Sequence, residues 1–363
     1  MSVLKQEKAL AIPLLLAGLA FFMEHDLLAA GQIIALLSAV VLVGGILVAS
    51  IRVAHHAEIL AHKVGDPYGT MILTLSAVAV EVLILAIMMQ GESSPTLARD
   101  TIYSAVMLDI NGILGLAALL GGLKHGEQPY NDDSGKTYGV MILTAMGISM
   151  IVPEFVPAAK WTYYSAFTIV AMLALYALFL RMQVGKHSYF FSYSYPRRAA
   201  SGHGADDHGE DAASMAASIT IIVLGVVIIG VLAEFMSVLL TEGLRGTGAP
   251  PALMAIVVAG ISAAPEILTA LNAALHNRMQ ATVNIAMGAS LSTVILTVPV
   301  MEAIALYTGQ PFIMAMSPVQ TVMVMITLIA AAINLNDGET NAIEGMTHFI
   351  LFATFIMLSV LGL

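Results

Sequence analysis

Residues 73–87 read Leu73-Thr74-Leu75-Ser76-Ala77-Val78-Ala79-Val80-Glu81-Val82-Leu83-Ile84-Leu85-Ala86-Ile87. A single carboxylate stands in a stretch that otherwise carries no charge. What lies around it decides the fold. Apolar runs of roughly 20 residues, the length that crosses a bilayer, recur from one end of the chain to the other. Hydrophobic residues make up 59% of the 363 and charged residues 10%, against about 25% charged in a soluble domain. The chain therefore reads as an all-α polytopic membrane protein, and Glu81 sits inside one of its spans. An ionised carboxylate at that depth costs at least ~2.5–3.5 kcal/mol on insertion scales. A buried Lys or Arg could offset that cost structurally, but no basic residue lies deep in any span. A bound cation, a proton or a water-filled cavity is left to do it.

Charge and Gly/Pro punctuation divide the chain into eleven expected spans, near 9–23, 27–51, 66–91, 99–123, 138–158, 162–184, 214–241, 250–276, 280–308, 311–334 and 343–362. The first lacks a small-residue cleavage site after Phe21-Phe22-Met23-Glu24, so it reads as a retained helix and not a signal peptide. With a cytoplasmic N-terminus, eleven of the fourteen Lys and Arg residues fall on the inside and three (Arg99, Lys160, Arg245) on the outside, as the positive-inside bias requires. This orientation puts the C-terminus outside, in a cell (inner) membrane. One long polar break, 185–213, holds the acidic, His-containing run from Ser201 to Asp211. The expected organisation is an N-terminal extra helix (1–26), a five-helix repeat (27–184), the cytoplasmic loop (185–213) and a second five-helix repeat (214–363). Because five is odd, the two repeats are inverted, the arrangement of transporters that bind cargo at the repeat interface near mid-membrane.

Glu266 poses the problem of Glu81 again in the second half, in Ile261-Ser262-Ala263-Ala264-Pro265-Glu266. Pro265 removes an N–H and displaces a helical carbonyl, and irregular backbone at this depth is tolerated where it lines a cavity. Two ionised carboxylates repel each other unless a cation or protons neutralise them, so cation and protons compete for one site. Asp109, before Ile110-Asn111-Gly112, is a third intramembrane acid. Asn284, Ser290 and Ser292 follow Glu266 on the next span, where hydroxyls serve equally as helix-packing residues. Glu58, Glu154, Glu234 and Glu302 are candidates for a proton or cation path, or else sit near helix ends at headgroup level. His55, Glu58 and His62 fall at i, i+3 and i+7 beside Arg52 and Lys63, the pattern of a solvated helix end. The chain has no cysteine and 23 methionines. Met at this frequency reads as gap-filling between helices. There is no phosphate-binding loop, dinucleotide fingerprint or nucleophile motif, so an enzyme is not expected.

Two stretches also resemble a known family. Ala57-Glu58-Ile59-Leu60-Ala61, through Gly65-Asp66-Pro67-Tyr68-Gly69, to Glu81 is similar to the first α-repeat of the cation/calcium exchanger superfamily. Pro265-Glu266, followed by Asn284-Ile285-Ala286-Met287-Gly288 and Pro299, is similar to the second. The likeness is nearest to the ChaA-type calcium(sodium)/proton antiporters and covers essentially the whole chain. It implies ten core helices plus one, Glu81 and Glu266 as the central pair, and Asn284 lining the same cavity; Asp109 and Ser292, read from the residues themselves, are further candidate ligands. Such exchangers commonly carry Gly-Asn-Ala before each central glutamate. Here those places read Ala77-Val78-Ala79 and Ser262-Ala263-Ala264, so two amide oxygens are absent and Na+ or K+ stands beside Ca2+ as cargo.

The expected function is a secondary-active antiporter that exchanges Ca2+, or Na+ or K+, for H+ by alternating access. Its partners are the cations, protons and bilayer, with no cofactor and no nucleic acid; a homo-oligomer is left open. A passive cation channel is the alternative, which would more often show a repeated-subunit ring or a carbonyl filter motif. The polar, Gly-containing run at 201–211 reads as a tolerant linker. Its deletion is expected to leave vesicle transport within about twofold of wild type, and loss of transport by an inserted deletion variant would assign the run a sensing role.

Overall fold

The computed structural model describes residues 8–64, 68–89, 94–185, 187–193, 215–248, 250, 252–309 and 312–363. The expectations for His203 to Asp211 lie outside them, as does the side chain of His62. The described residues are almost wholly helical. The helices are α1 (Ala11–Ala29), α2 (Gln32–Val64), α3 (Tyr68–Met88), α4 (Leu97–His125), α5 (Asp132–Phe155), α6 (Trp161–Val184), α7 (Met215–Leu244), α8 (Ala252–Ser262), α9 (Ala264–Leu275), α10 (Met279–Thr308), α11 (Pro318–Asn334) and α12 (Ala342–Val360). Among the described residues, eight helices are long and apolar enough to cross a membrane, and the α8–α9 pair, bent by 58°, makes a ninth. The shorter apolar stretches Thr74–Met88 and Pro318–Asn334 occupy the remaining two expected spans. Large apolar side chains such as Phe22, Ile33, Val170 and Ile333 point outward, as a lipid-facing surface requires. The molecule is a polytopic membrane protein in which α1 precedes two groups of five spans and packs against α2 and α7.

Two spans depart from the expected outline. The second was placed at 27–51, but α2 runs on to Val64 and carries His55 and Glu58 on its last turns. The tenth was placed at 311–334, but its helix starts at Pro318. There Ser317 and Gln320 form a reciprocal capping box, and the proline occupies the first turn, where its missing N–H costs nothing. The preceding segment 312–317 is extended and packed inside. Met314 and Met316 are buried, Ile313 N–H donates to the Pro95 carbonyl (3.0 Å), and Met316 N–H to that of Met150 (2.9 Å).

The two groups of spans share a device. Their third members, α4 and α10, each loosen into a π-helical segment, Leu108–Leu114 and Thr293–Thr297. Such segments re-aim side chains and recur at functional sites. The second members differ: α3 runs unbroken through Glu81, whereas its counterpart breaks at Ala263.

α12 lies close against α4. A Cβ built on Gly115 would stand 2.8 Å from His348 Cβ and 2.9 Å from Phe349 N, and one built on Gly345 would collide with the backbone of Ala118 and Leu119. Absence of side chains lets the helices meet, as small residues do in membranes. Gly345→Ala is therefore expected to destabilise the protein by about 1–3 kcal/mol, the range of overpacking. Gly44→Ala, where a Cβ meets nothing within 4 Å, should be neutral. Thermal melts in detergent compare the two, and equal melting points would remove the close-packing account.

Candidate cation site

A cavity of about 780 Å³ enters the bundle from the end where α2 and α6 terminate. Its wall includes Glu81, Asp109 and Glu266, three carboxylates from α3, α4 and α9. None of the described residues lining it is Lys or Arg.

Each carboxylate is held differently. Glu81, 3% exposed, accepts through Oε2 from the hydroxyls of Thr293 (3.0 Å) and Thr297 (3.3 Å) in the π segment of α10. Its Oε1 is buried without a hydrogen-bond partner among the described residues. Asp109, 2% exposed, sits in the matching segment of α4 and accepts from Ser290 Oγ at 3.2 Å. Glu266 falls in the first turn of α9 because the chain breaks at Ala263 and restarts through Pro265. There it faces the positive end of the helix dipole. One of its oxygens, Oε2, is buried with no hydrogen-bond partner among the described residues. Hydroxyl donors and a helix end stabilise negative charge without neutralising it, so the set stays acidic. Among the described residues no three His, Asp or Glu side chains converge closely enough to chelate one metal ion. A cation here would take one or two carboxylates plus hydroxyl oxygens at a time.

Asn284 lines the same cavity, but its amide is engaged. Oδ1 accepts from Gln280 Nε2 (3.0 Å), and Nδ2 donates to the Phe191 carbonyl (2.8 Å). It lies nine residues before Thr293 on α10, about 13 Å along the axis, nearer the mouth than the carboxylates. Ser292 also lines the cavity and donates to the Gly288 carbonyl at 2.7 Å. Glu58 and His55 form part of the wall on the last turns of α2.

The remaining candidates lie elsewhere. Glu154 is exposed on the closing turn of α5 and Glu234 on the surface of α7; neither lines the cavity. Glu302 is buried against α6, away from the cavity. Sequence reasoning missed Thr293 and Thr297, although their i, i+4 spacing on an apolar helix was there to be read. It also missed Asn111, which bonds Thr327 Oγ1 (2.7 Å) and His348 Nδ1 (2.8 Å) on the far side of α4 from Asp109.

The opposite end of the bundle is closed. Ile84, Leu85 and Met88, the turns after Glu81, are buried. Arg99 pairs with Asp100 at 2.7 Å and donates to the Ala315 carbonyl at 2.8 Å, while Gln320 donates to Asp100 at 2.8 Å. This fully partnered cluster pins the extended 312–317 segment over the far end.

The comparisons agree with this architecture. The model of the family described as sodium/calcium exchanger protein matches residues 33–185 and 217–361. The sodium-potassium/proton antiporter ChaA of Escherichia coli (strain K12) is 36% identical over 322 residues, covering 86% of this chain and 86% of the relative. The Ca2+/H+ antiporter ChaA of Bacillus subtilis (strain 168) is 24% identical over 310 residues, covering 84% and 85%. The solved structure of native YfkE superposes with a TM-score of 0.73 at 17% identity, covering 96% of this chain and all of that one. With the two halves, the paired acidic spans and the family match all in place, this chain belongs to the sodium/calcium exchanger protein family.

Proposed function

We propose that this protein is a secondary-active cation/proton antiporter of a bacterial inner membrane. In this reading Glu81 and Glu266 hold cation and protons in competition, and Asp109 is a third acidic contributor. The observation that carries it is a cavity open at one end, ending on buried carboxylates with unpartnered oxygens and no lining Lys or Arg among the described residues. A carrier needs such a blind approach at each stage of alternating access, whereas a channel needs continuity. Ser292, Thr293 and the oxygens freed near Pro265 would complete the cation's shell, and Glu58 and Asn284 would act at the mouth. The N-terminus is assigned to the cytoplasm and the C-terminus to the outside, so the cavity faces inward. The units are 1–26, 27–184, 185–213 and 214–363.

Na+ and K+ are the cargo assigned first. The E. coli relative named for them is more similar than the Ca2+/H+ antiporters, and the amide oxygens before each central glutamate are missing. Ca2+ stays as the second assignment because relatives named for it share the fold and most of the length.

Glu81→Gln and Glu266→Gln are each expected to reduce exchange in inverted vesicles to background while the protein remains inserted. Near-normal exchange by either variant would refute the paired site. Apparent cation affinity should rise with pH, because protons leave the carboxylates that the cation needs. A monovalent ion displacing one proton gives a slope of log affinity of about one per pH unit, and a divalent ion displacing two gives about two. Equilibrium binding between about pH 5 and 9 separates Na+ or K+ from Ca2+ by this slope. A flat line would sink the competition itself.

A further inference from the structure

Glu302 is a second buried acid that the cation cavity does not use. It is 1% exposed. Its Oε1 accepts one long hydrogen bond from Ser165 Oγ on α6 (3.4 Å), and its Oε2 is buried with no hydrogen-bond partner among the described residues. It stands on α10 five residues past Thr297, which bonds Glu81. That is about 7.5 Å further along the helix axis, toward the closed end. Another buried acid in that end, Asp100, has Arg99, Thr96 and Gln320 as partners. Against the Glu302 turn pack α6 and α3, and the titratable side chain of α6 that interacts with it is Tyr164. Tyr164 is not basic, and its hydroxyl is already spent on the Ile148 carbonyl (2.7 Å).

We propose that Glu302 is a proton-binding site on the closed side, a station on the proton's route between Glu81 and the far face that the cation does not share. The assignment rests on the antiport reading above. Its selectivity follows from ligand count. A hard cation stripped of water needs several oxygens, and this pocket offers one carboxyl and one hydroxyl. A proton needs a single lone pair. An intramembrane acid without a basic partner is retained at a cost, and a function that requires it accounts for that. Chemically the step is a proton gained by the Glu302 carboxylate from the far side and lost toward Glu81, with no other bond changed.

The test uses the full chain reconstituted in liposomes and two assays. Radiolabelled cation self-exchange at equal pH on both sides needs the cation site and alternating access alone. Proton-coupled exchange, read by a trapped pH dye under a cation gradient, also needs the proton's route. Glu302→Gln is expected to keep self-exchange within about twofold and to lower proton-coupled exchange at least tenfold, with Glu302→Asp restoring part of it. Wild-type coupling in Glu302→Gln would overturn the proposal, as would equal loss in both assays, which marks a structural role. Ser165→Ala is the milder variant should Glu302→Gln fail to insert. It removes a donor to the carboxylate and should move the pH profile of coupled exchange to higher pH, and an unmoved profile counts against the site. If the Glu81 and Glu266 reading is the one that fails, self-exchange survives in Glu81→Gln, a result independent of Glu302.

Discussion

The structure turns on negative charge placed in a low-dielectric interior without resident positive charge to meet it. Glu81, Asp109 and Glu266 receive hydroxyl donors and a helix terminus, and these groups lower the cost of ionisation without cancelling it. Such a site is stable in two conditions, protonated or cation-bound, and unstable bare. In the proposed antiport that instability would make exchange obligatory: the carboxylates would not release one neutralising species without taking another. A lysine in the same cavity would stabilise the protein and end its function. The contrast with Asp100, partnered by Arg99 at 2.7 Å, shows what the same residue type does when its role is to hold segments together.

The two halves solve the same problem with different backbones. In the second half Pro265 breaks the span, and Glu266 sits at a fresh helix N-terminus. In the first half the helix is continuous, and Glu81 relies on hydroxyls reaching across from Thr293 and Thr297. The π-helical turn that aims those hydroxyls has its counterpart around Asp109. The first half therefore positions two acids, Glu81 in its second span and Asp109 in its third, and α10 of the second half supplies hydroxyl donors to both, as Ser290 does for Asp109. Loss of register between the halves would cost both acids their partners at once.

Much of this was legible in the sequence because a bilayer imposes a coarse rule. Spans need about 20 apolar residues, and a charge inside one is conspicuous, so Glu81, Glu266 and Asp109 could be picked out, and nearly every span falls close to its expected place. The rule is silent on what is neutral. Thr293 and Thr297 resemble packing residues until the fold brings Glu81 to them. Asn284 reads as a ligand along the chain, but its bonds to Gln280 and the Phe191 carbonyl appear only in the fold. Glu154, Glu234 and Glu302 look alike along the chain, yet two are exposed and one is buried, since depth along a span does not reveal which face of the helix points inward. The start of α11 was misjudged because hydropathy counts Met314 and Met316 as helix, whereas their burial comes from an extended segment capped off by Ser317 and Pro318.

α10 is where these features meet. It carries Asn284 near the mouth, Ser290 for Asp109, Thr293 and Thr297 for Glu81, and Glu302 toward the closed end. A rigid α-helix would present these groups on several faces in a fixed spiral. The π-helical turn at Thr293–Thr297 shifts that spiral between the residues that line the cavity or bond its carboxylates and Glu302 toward the closed end. It also weakens the helix at that level, since the extra residue disrupts the regular hydrogen-bond ladder. A rearrangement that opens the far end must change how α10 meets α3 and α6, which carry Glu81 and Ser165. Protonation of Glu81 weakens its claim on the two threonine hydroxyls, because a neutral carboxyl accepts hydrogen bonds less strongly than a carboxylate. In the proposed exchange, the proton that discharges the cation would thus also loosen the contact that holds α10 to α3, and charge neutralisation and helix movement would be linked through the same two hydrogen bonds.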